Sequence, residues 1–163
     1  MGELAAFIIL SVVTLLPAVV VVTSRNLVHA AMSLIPSFLG VTGLFVLLQA
    51  EFVAGIQILI YAGAIAVLIL FVIMLTEGGT GLTVRQINEQ RLLGVLVVGV
   101  LTAGMLGILL RTPWQITAGT LPRSNVTAVG AALLTDFVLA FEISSLVLLV
   151  SLIGALVIAR REQ

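Results

Sequence analysis

Residues 51–76 read EFVAGIQILIYAGAIAVLILFVIMLT, and this stretch decides the fold. From Phe52 to Leu75 it carries no charged side chain. A helix rises about 1.5 Å per residue, so one helix over this stretch crosses the roughly 30 Å hydrocarbon core of a bilayer. Two features exceed what a passive anchor needs. Gln57 and Tyr61 are polar and stand four residues apart, which places them on one face of an α-helix. Beside them runs a series of small residues, Ala62, Gly63, Ala64 and Ala66.

The rest of the chain has the same character. Of its 163 residues 61% are hydrophobic and 9% charged, with a mean hydropathy of +1.36, whereas about 25% of a soluble domain is charged. This is the composition of an integral membrane protein. Seven arginines balance seven acidic residues, which argues against nucleic-acid binding, because a phosphate-binding surface needs an excess of cations. Without cysteine the chain has no disulfide, no thiolate ligand for an iron-sulfur cluster and no thiol nucleophile. Its single histidine excludes an all-histidine metal site within one chain. No phosphate-binding loop or dinucleotide fingerprint is present. The expectation is a chain with no catalytic residue, metal or cofactor of its own. Met1-Gly2-Glu3 is not the basic start of a secretory signal, so the first apolar segment is expected to be retained.

Hydropathy predicts a single membrane domain over residues 1–163, all-α, with five transmembrane helices over about residues 4–23, 29–48, 53–75, 92–110 and 141–159. Pro17 and Pro36 fall inside the first two, where each removes one backbone hydrogen bond and favours a kink. Ser24-Arg25-Asn26 makes the turn between these two spans, which should pair antiparallel. A polar loop from Glu77 to Arg91 precedes the fourth span. There Gly99, Ala103 and Gly107 recur every four residues, a stripe that lets another helix backbone approach. A long connection containing Pro113, Trp114, Pro122 and Arg123 leads to residues 126–140, too short to span and predicted to lie at the interface.

Five of the seven arginines (Arg25, Arg85, Arg91, Arg160 and Arg161) fall after the first, third and fifth spans. The positive-inside rule therefore predicts the N-terminus outside and the C-terminus in the cytoplasm.

Candidate chemistry is sparse. Glu51 and Glu142 stand at the expected starts of the third and fifth spans and Asp136 just before the fifth, where boundary carboxylates are favoured by the helix dipole. His29 opens the second span as an interfacial residue. Gln57 and Tyr61 have two readings: hydrogen-bonding groups that join helices, or members of a hydrated path in which they order water. Ala62 and Ala66 fit tight helix packing. Weak crowding around Gly63 also permits a local π-bulge, in which one inserted residue turns the two halves of the helix against each other by roughly 100°.

The run AEFVAGIQILIYAGAIAVLILFVIML resembles the third-helix signature of the subunit J family of bacterial respiratory complex I, the counterparts of mitochondrial NADH dehydrogenase subunit 6. SRNLVHAAMSLI and GAALLTDFVLAFEISSLVLLVSLIGALVIAR are similar to other parts of that family. The resemblance implies a non-catalytic subunit of a proton-pumping NADH:quinone oxidoreductase in the bacterial inner membrane. Its partners would be the quinone-site subunit, small antiporter-adjacent subunits and antiporter-like subunits, with the lipid bilayer around them. FMN, iron-sulfur clusters and quinone would belong to other subunits. In that family the third helix carries a π-bulge near the positions of Tyr61 and Gly63, and its formation and loss are thought to open a water path. Some members have glutamate where this chain has Gln57, which puts the acids of such a path on neighbouring subunits. Two other assignments fit the same residues: a subunit of a multi-subunit cation/proton antiporter or membrane hydrogenase, and a purely structural assembly subunit.

Overall fold

The computed structural model describes residues 2–77, 91–114 and 125–160. Most of the polar loop after Glu77, the Pro122-Arg123 part of the long connection, and Arg161 lie outside the described residues. The chain forms two compact units, one of Met1–Gly78 with Leu121–Gln163, the other of Gly79–Thr120.

In the first unit, α1 (Gly2–Thr23) and α2 (Leu27–Leu47) form an antiparallel pair. Their turn is closed by the Asn26 side chain, whose Oδ1 accepts the His29 N–H at 3.0 Å, so the first turn of α2 is capped. The helices approach closely because α2 carries Gly40 and Gly43 where α1 presents Thr14 and Leu10. Beside them the Ser37 hydroxyl donates to the Thr14 carbonyl at 3.0 Å. Other hydroxyls of the spans, including Thr14, Ser33, Thr42, Ser144 and Ser151, bond the carbonyl four residues back in their own helix, as lipid surroundings demand.

Helix α2 ends in a tight turn. The Ala50 N–H bonds the Phe45 carbonyl and the Gln49 N–H bonds the Val46 carbonyl, both at 2.9 Å, with Gln49 at φ 57°. This is the left-handed helix stop usually given to glycine, here made by glutamine. The third span follows without a break as α3 (Glu51–Ile56), a π-helical segment (Gln57–Ile65) and α4 (Ala66–Glu77). Helix α6 (Asn125–Leu134) lies against α3, and the Asn125 Nδ2 donates to the Gln49 carbonyl at 3.2 Å. A turn over residues 135–137 leads to α7 (Val138–Ala159), whose described helix contact in this unit is with α6. The described helix of the second unit is α5 (Arg91–Arg111), and beyond it the Trp114 indole N–H bonds the Leu109 carbonyl at 3.0 Å.

Five helices are long and apolar enough to cross a membrane: Gly2–Thr23, Leu27–Leu47, Glu51–Thr76, Leu92–Arg111 and Val138–Ala159. All five spans predicted from hydropathy are present, and their ends agree within three residues. The protein is all-helical in its described residues and is a multi-pass membrane protein. Apart from Gln57, the buried side chains of the described residues are small, among them Ala31, Ala54, Ala62 and Ala66, while leucines, valines and isoleucines face outward along every span. That is the inverse of a water-soluble core, because lipid tails solvate large apolar side chains and helices gain most where small residues let backbones meet.

Candidate functional site

The site is the middle of the third span. From Gln57 to Ile65 the backbone is π-wound, and the Ala66 N–H closes the segment by bonding the Tyr61 carbonyl five residues back. Such windings are rare and costly, and they gather at functional positions. The expectation of a local π-bulge around Gly63 thus corresponds to a longer feature, nine residues, which begins at Gln57.

Burial records the change of winding. The residues of this span that are covered are Ala54 (4% exposed), Gln57 (9%), Ala62 (8%) and Ala66 (0%). Their spacing is three, then five, then four. An α-helix brings residues three or four apart onto one face. The step of five falls inside the π segment, where the wider turn carries Ala62 rather than Tyr61 over Gln57. The expected pairing of Gln57 and Tyr61 on one face therefore changes: Gln57 is covered, whereas Tyr61 is 45% exposed. Beyond its own flanks, the π segment meets α2 among the described helices.

Gly63 sits where a side chain would meet the carbonyl one π turn back. A Cβ added there would lie 3.2 Å from the Ile58 carbonyl oxygen, five residues back, closer than a carbon ordinarily sits. Tyr61 packs edge-on against Phe38 of α2, with ring centroids 5.7 Å apart and planes at 74°. Sequence reading singled out Gln57, Tyr61 and Gly63 but not Phe38. A five-residue step between polar or small positions, Gln57 to Ala62, was the available signal for the π winding.

The Gln57 carboxamide makes no hydrogen bond among the described residues. A carboxamide has two donor hydrogens and an acceptor oxygen, so in this setting it has unused capacity to hold water or another polar group.

The remaining candidates lie elsewhere. Glu51 is exposed in the first turn of α3, and Asp136 is exposed in the turn between α6 and α7. The fifth span starts at Val138, not Phe141, so Glu142 is in the second turn of α7 rather than at its entry. The dipole argument made for it from sequence fails there, because the effect decays within the first turn. Gly99, Ala103 and Gly107 lie on α5, which has no other described helix in its unit to receive the stripe. In the first unit close approach is made instead by Gly40 and Gly43 of α2, which sequence reading did not select.

A polytopic membrane protein whose third span is wound as a π-helix around a tyrosine-alanine-glycine core is the class these features define. The chain belongs to the family of NADH-ubiquinone/plastoquinone oxidoreductase chain 6, which matches residues 17–158. It is 41% identical over 162 residues to F(420)H(2) dehydrogenase subunit J of Methanosarcina mazei, covering 98% of this chain and 92% of that one. It is 38% identical to NAD(P)H-quinone oxidoreductase chain 6 of Leptolyngbya boryana, covering 98% of this chain and 81% of the relative. With NADH-quinone oxidoreductase subunit J of Rickettsia bellii it shares 34% identity over 164 residues, covering 96% of this chain and 80% of the relative.

Proposed function

We propose that this chain is a membrane-arm subunit of a proton-translocating quinone oxidoreductase and couples quinone reduction to proton movement through its third span. The observation that carries the reading is the π-wound segment Gln57–Ile65 in a span with no charged side chain from Phe52 to Leu75. An element without an acid or base of its own acts on a proton path through its backbone. Rewinding the segment to α removes one residue from the turn and rotates one half of the span against the other by about 100°. That motion carries Gln57 and Tyr61 relative to each other and alternately opens and closes a line of water.

In this proposal the chain is non-catalytic. It lacks cysteine and so offers no thiolate to an iron-sulfur cluster, and the proposal assigns FMN, iron-sulfur clusters and quinone to partner subunits. The partners are the quinone-site subunit, small antiporter-adjacent subunits and antiporter-like subunits. The membrane is the bacterial inner membrane, with the N-terminus outside and the C-terminus cytoplasmic, as the arginine distribution favours. The names of the relatives carry different donors, F(420)H(2), NAD(P)H and NADH, so the electron donor is assigned to the input subunits and not to this one.

The test is Gly63→Val in the assembled complex, comparing quinone reduction with protons moved per electron. A β-branched side chain crowds the Ile58 carbonyl in the π winding and is accommodated in the α winding. The expected result is a complex that assembles and reduces quinone but pumps fewer protons per electron. An unchanged ratio in a normally assembled variant removes the coupling role.

A further inference from the structure

We infer that Phe38 is a positioning residue for the third span: its ring holds Tyr61 in the π-wound register and loses it when the span rewinds to α. The inference rests on the coupling role proposed above and adds the residue that biases the two windings.

The relationship has a fixed side and a moving side. Phe38 stands on the fixed side. Its neighbour Ser37 donates to the Thr14 carbonyl of α1, and Gly40, two residues on, packs against the Thr14 backbone. The Phe38 carbonyl accepts the Thr42 hydroxyl at 3.0 Å within α2. The ring is thus presented from the part of α2 that is joined most closely to α1.

Tyr61 stands on the moving side, in the middle of the π segment. The start of its span is held by the left-handed turn at Gln49, by the Ala50 N–H to the Phe45 carbonyl, and by the Asn125 side chain on the Gln49 carbonyl. With that end tied to α2 and α6, loss of the extra residue turns the following part of the span by about 100°. Tyr61 moves with it and leaves the Phe38 ring.

An edge-to-face aromatic pair is directional, favourable at centroid separations of about 4.5–7 Å and worth about a two- to tenfold shift in an equilibrium. At 5.7 Å and 74°, Phe38 and Tyr61 are within that range in the π winding. The contact therefore adds its whole effect to one of the two windings. An aliphatic side chain of similar volume at position 38 fills the same space without favouring either.

The experiment compares cryo-EM particle classes of the wild-type, Phe38→Leu and Phe38→Tyr complexes, oxidised and under quinone-reducing conditions, and measures protons moved per electron on the same preparations. The expected result for Phe38→Leu is a ratio of π to α particles lower by about two- to tenfold. A lower proton-to-electron ratio should accompany it, with quinone reduction retained, and Phe38→Tyr should restore both. If Phe38→Leu does not assemble, Phe38→Met carries the same readouts. If neither assembles, Phe38 is a packing residue and the inference fails. Two windings in equal proportion across all variants also overturn the role of Phe38, while leaving the switch intact. A single winding in wild-type particles under both conditions removes the switch itself.

Discussion

Gly40 of α2 lies directly against the backbone of Thr14 in α1: a Cβ on Gly40 would sit 2.8 Å from the Thr14 nitrogen and 3.0 Å from its Cα. Backbone atoms cannot move aside without shifting a helix. Gly43, one turn on, meets the Leu10 side chain instead, with Cδ1 at 3.2 Å and Cγ at 3.3 Å. A leucine tip can change rotamer. Gly40→Ala is therefore expected to cost about 1–3 kcal/mol. Gly43→Ala should cost about 0.5–1.5 kcal/mol, the scale of a displaced rotamer. Heat-induced loss of the subunit from the purified complex measures both, and equal losses would contradict the distinction.

The Ser37 hydroxyl is buried and joins α2 to the Thr14 carbonyl. Interhelical hydrogen bonds within membranes average about 0.6 kcal/mol. Ser37→Ala should therefore lower the release temperature only slightly and leave turnover near wild type. Ser37→Leu, which forces bulk between the helices, should abolish accumulation of the subunit, as read on an immunoblot of membranes.

Gly63 and Gly55 form a matched pair for the third span. Replacing either with alanine favours α-helix by about 1 kcal/mol. Gly63 lies in the π winding, where the new methyl group also meets the Ile58 carbonyl at 3.2 Å, whereas Gly55 lies in the α-wound part of the span. Gly63→Ala is expected to reduce the proton-to-electron ratio of an assembled complex, and Gly55→Ala to leave it unchanged. An equal reduction in both would assign the effect to helix propensity and not to carbonyl crowding, and two unchanged ratios would remove Gly63 from the coupling.

Gln49 holds a left-handed backbone, φ 57°, at the end of α2. A non-glycine residue there costs about 1–2 kcal/mol, which glycine avoids. Gln49→Gly should raise the temperature at which the subunit leaves the complex, and Gln49→Val should lower it, because a branched Cβ is least tolerated at positive φ. The Asn125 tie uses the Gln49 carbonyl and so remains possible in both variants.

The five spans, the turn over residues 24–26 and a short non-spanning segment before the last span were legible in residues alone, whereas the Asn26 cap was not. A bilayer demands about twenty apolar residues per crossing and leaves polar residues for the connections. Composition carries that constraint without reference to any partner. The family, too, was legible, from the Gln57 to Ala66 core. The stripe Gly99-Ala103-Gly107 shows why packing was less so. Small residues at helical spacing mark where a helix can be approached, not which helix arrives, and close approach in the first unit falls at Gly40 and Gly43.

What the sequence by itself determined is where this chain crosses the membrane and that its third crossing has no acid or base to relay a proton. Only the tertiary structure decided that nine residues from Gln57 to Ile65 are π-wound, that Ala62 and not Tyr61 stands over Gln57, and that Tyr61 rests on Phe38. The physical reason is that hydropathy cannot distinguish a hydrogen bond to the fourth residue back from one to the fifth. Both satisfy the backbone in lipid, and hydropathy carries no record of the neighbouring helix, here α2, that the span meets.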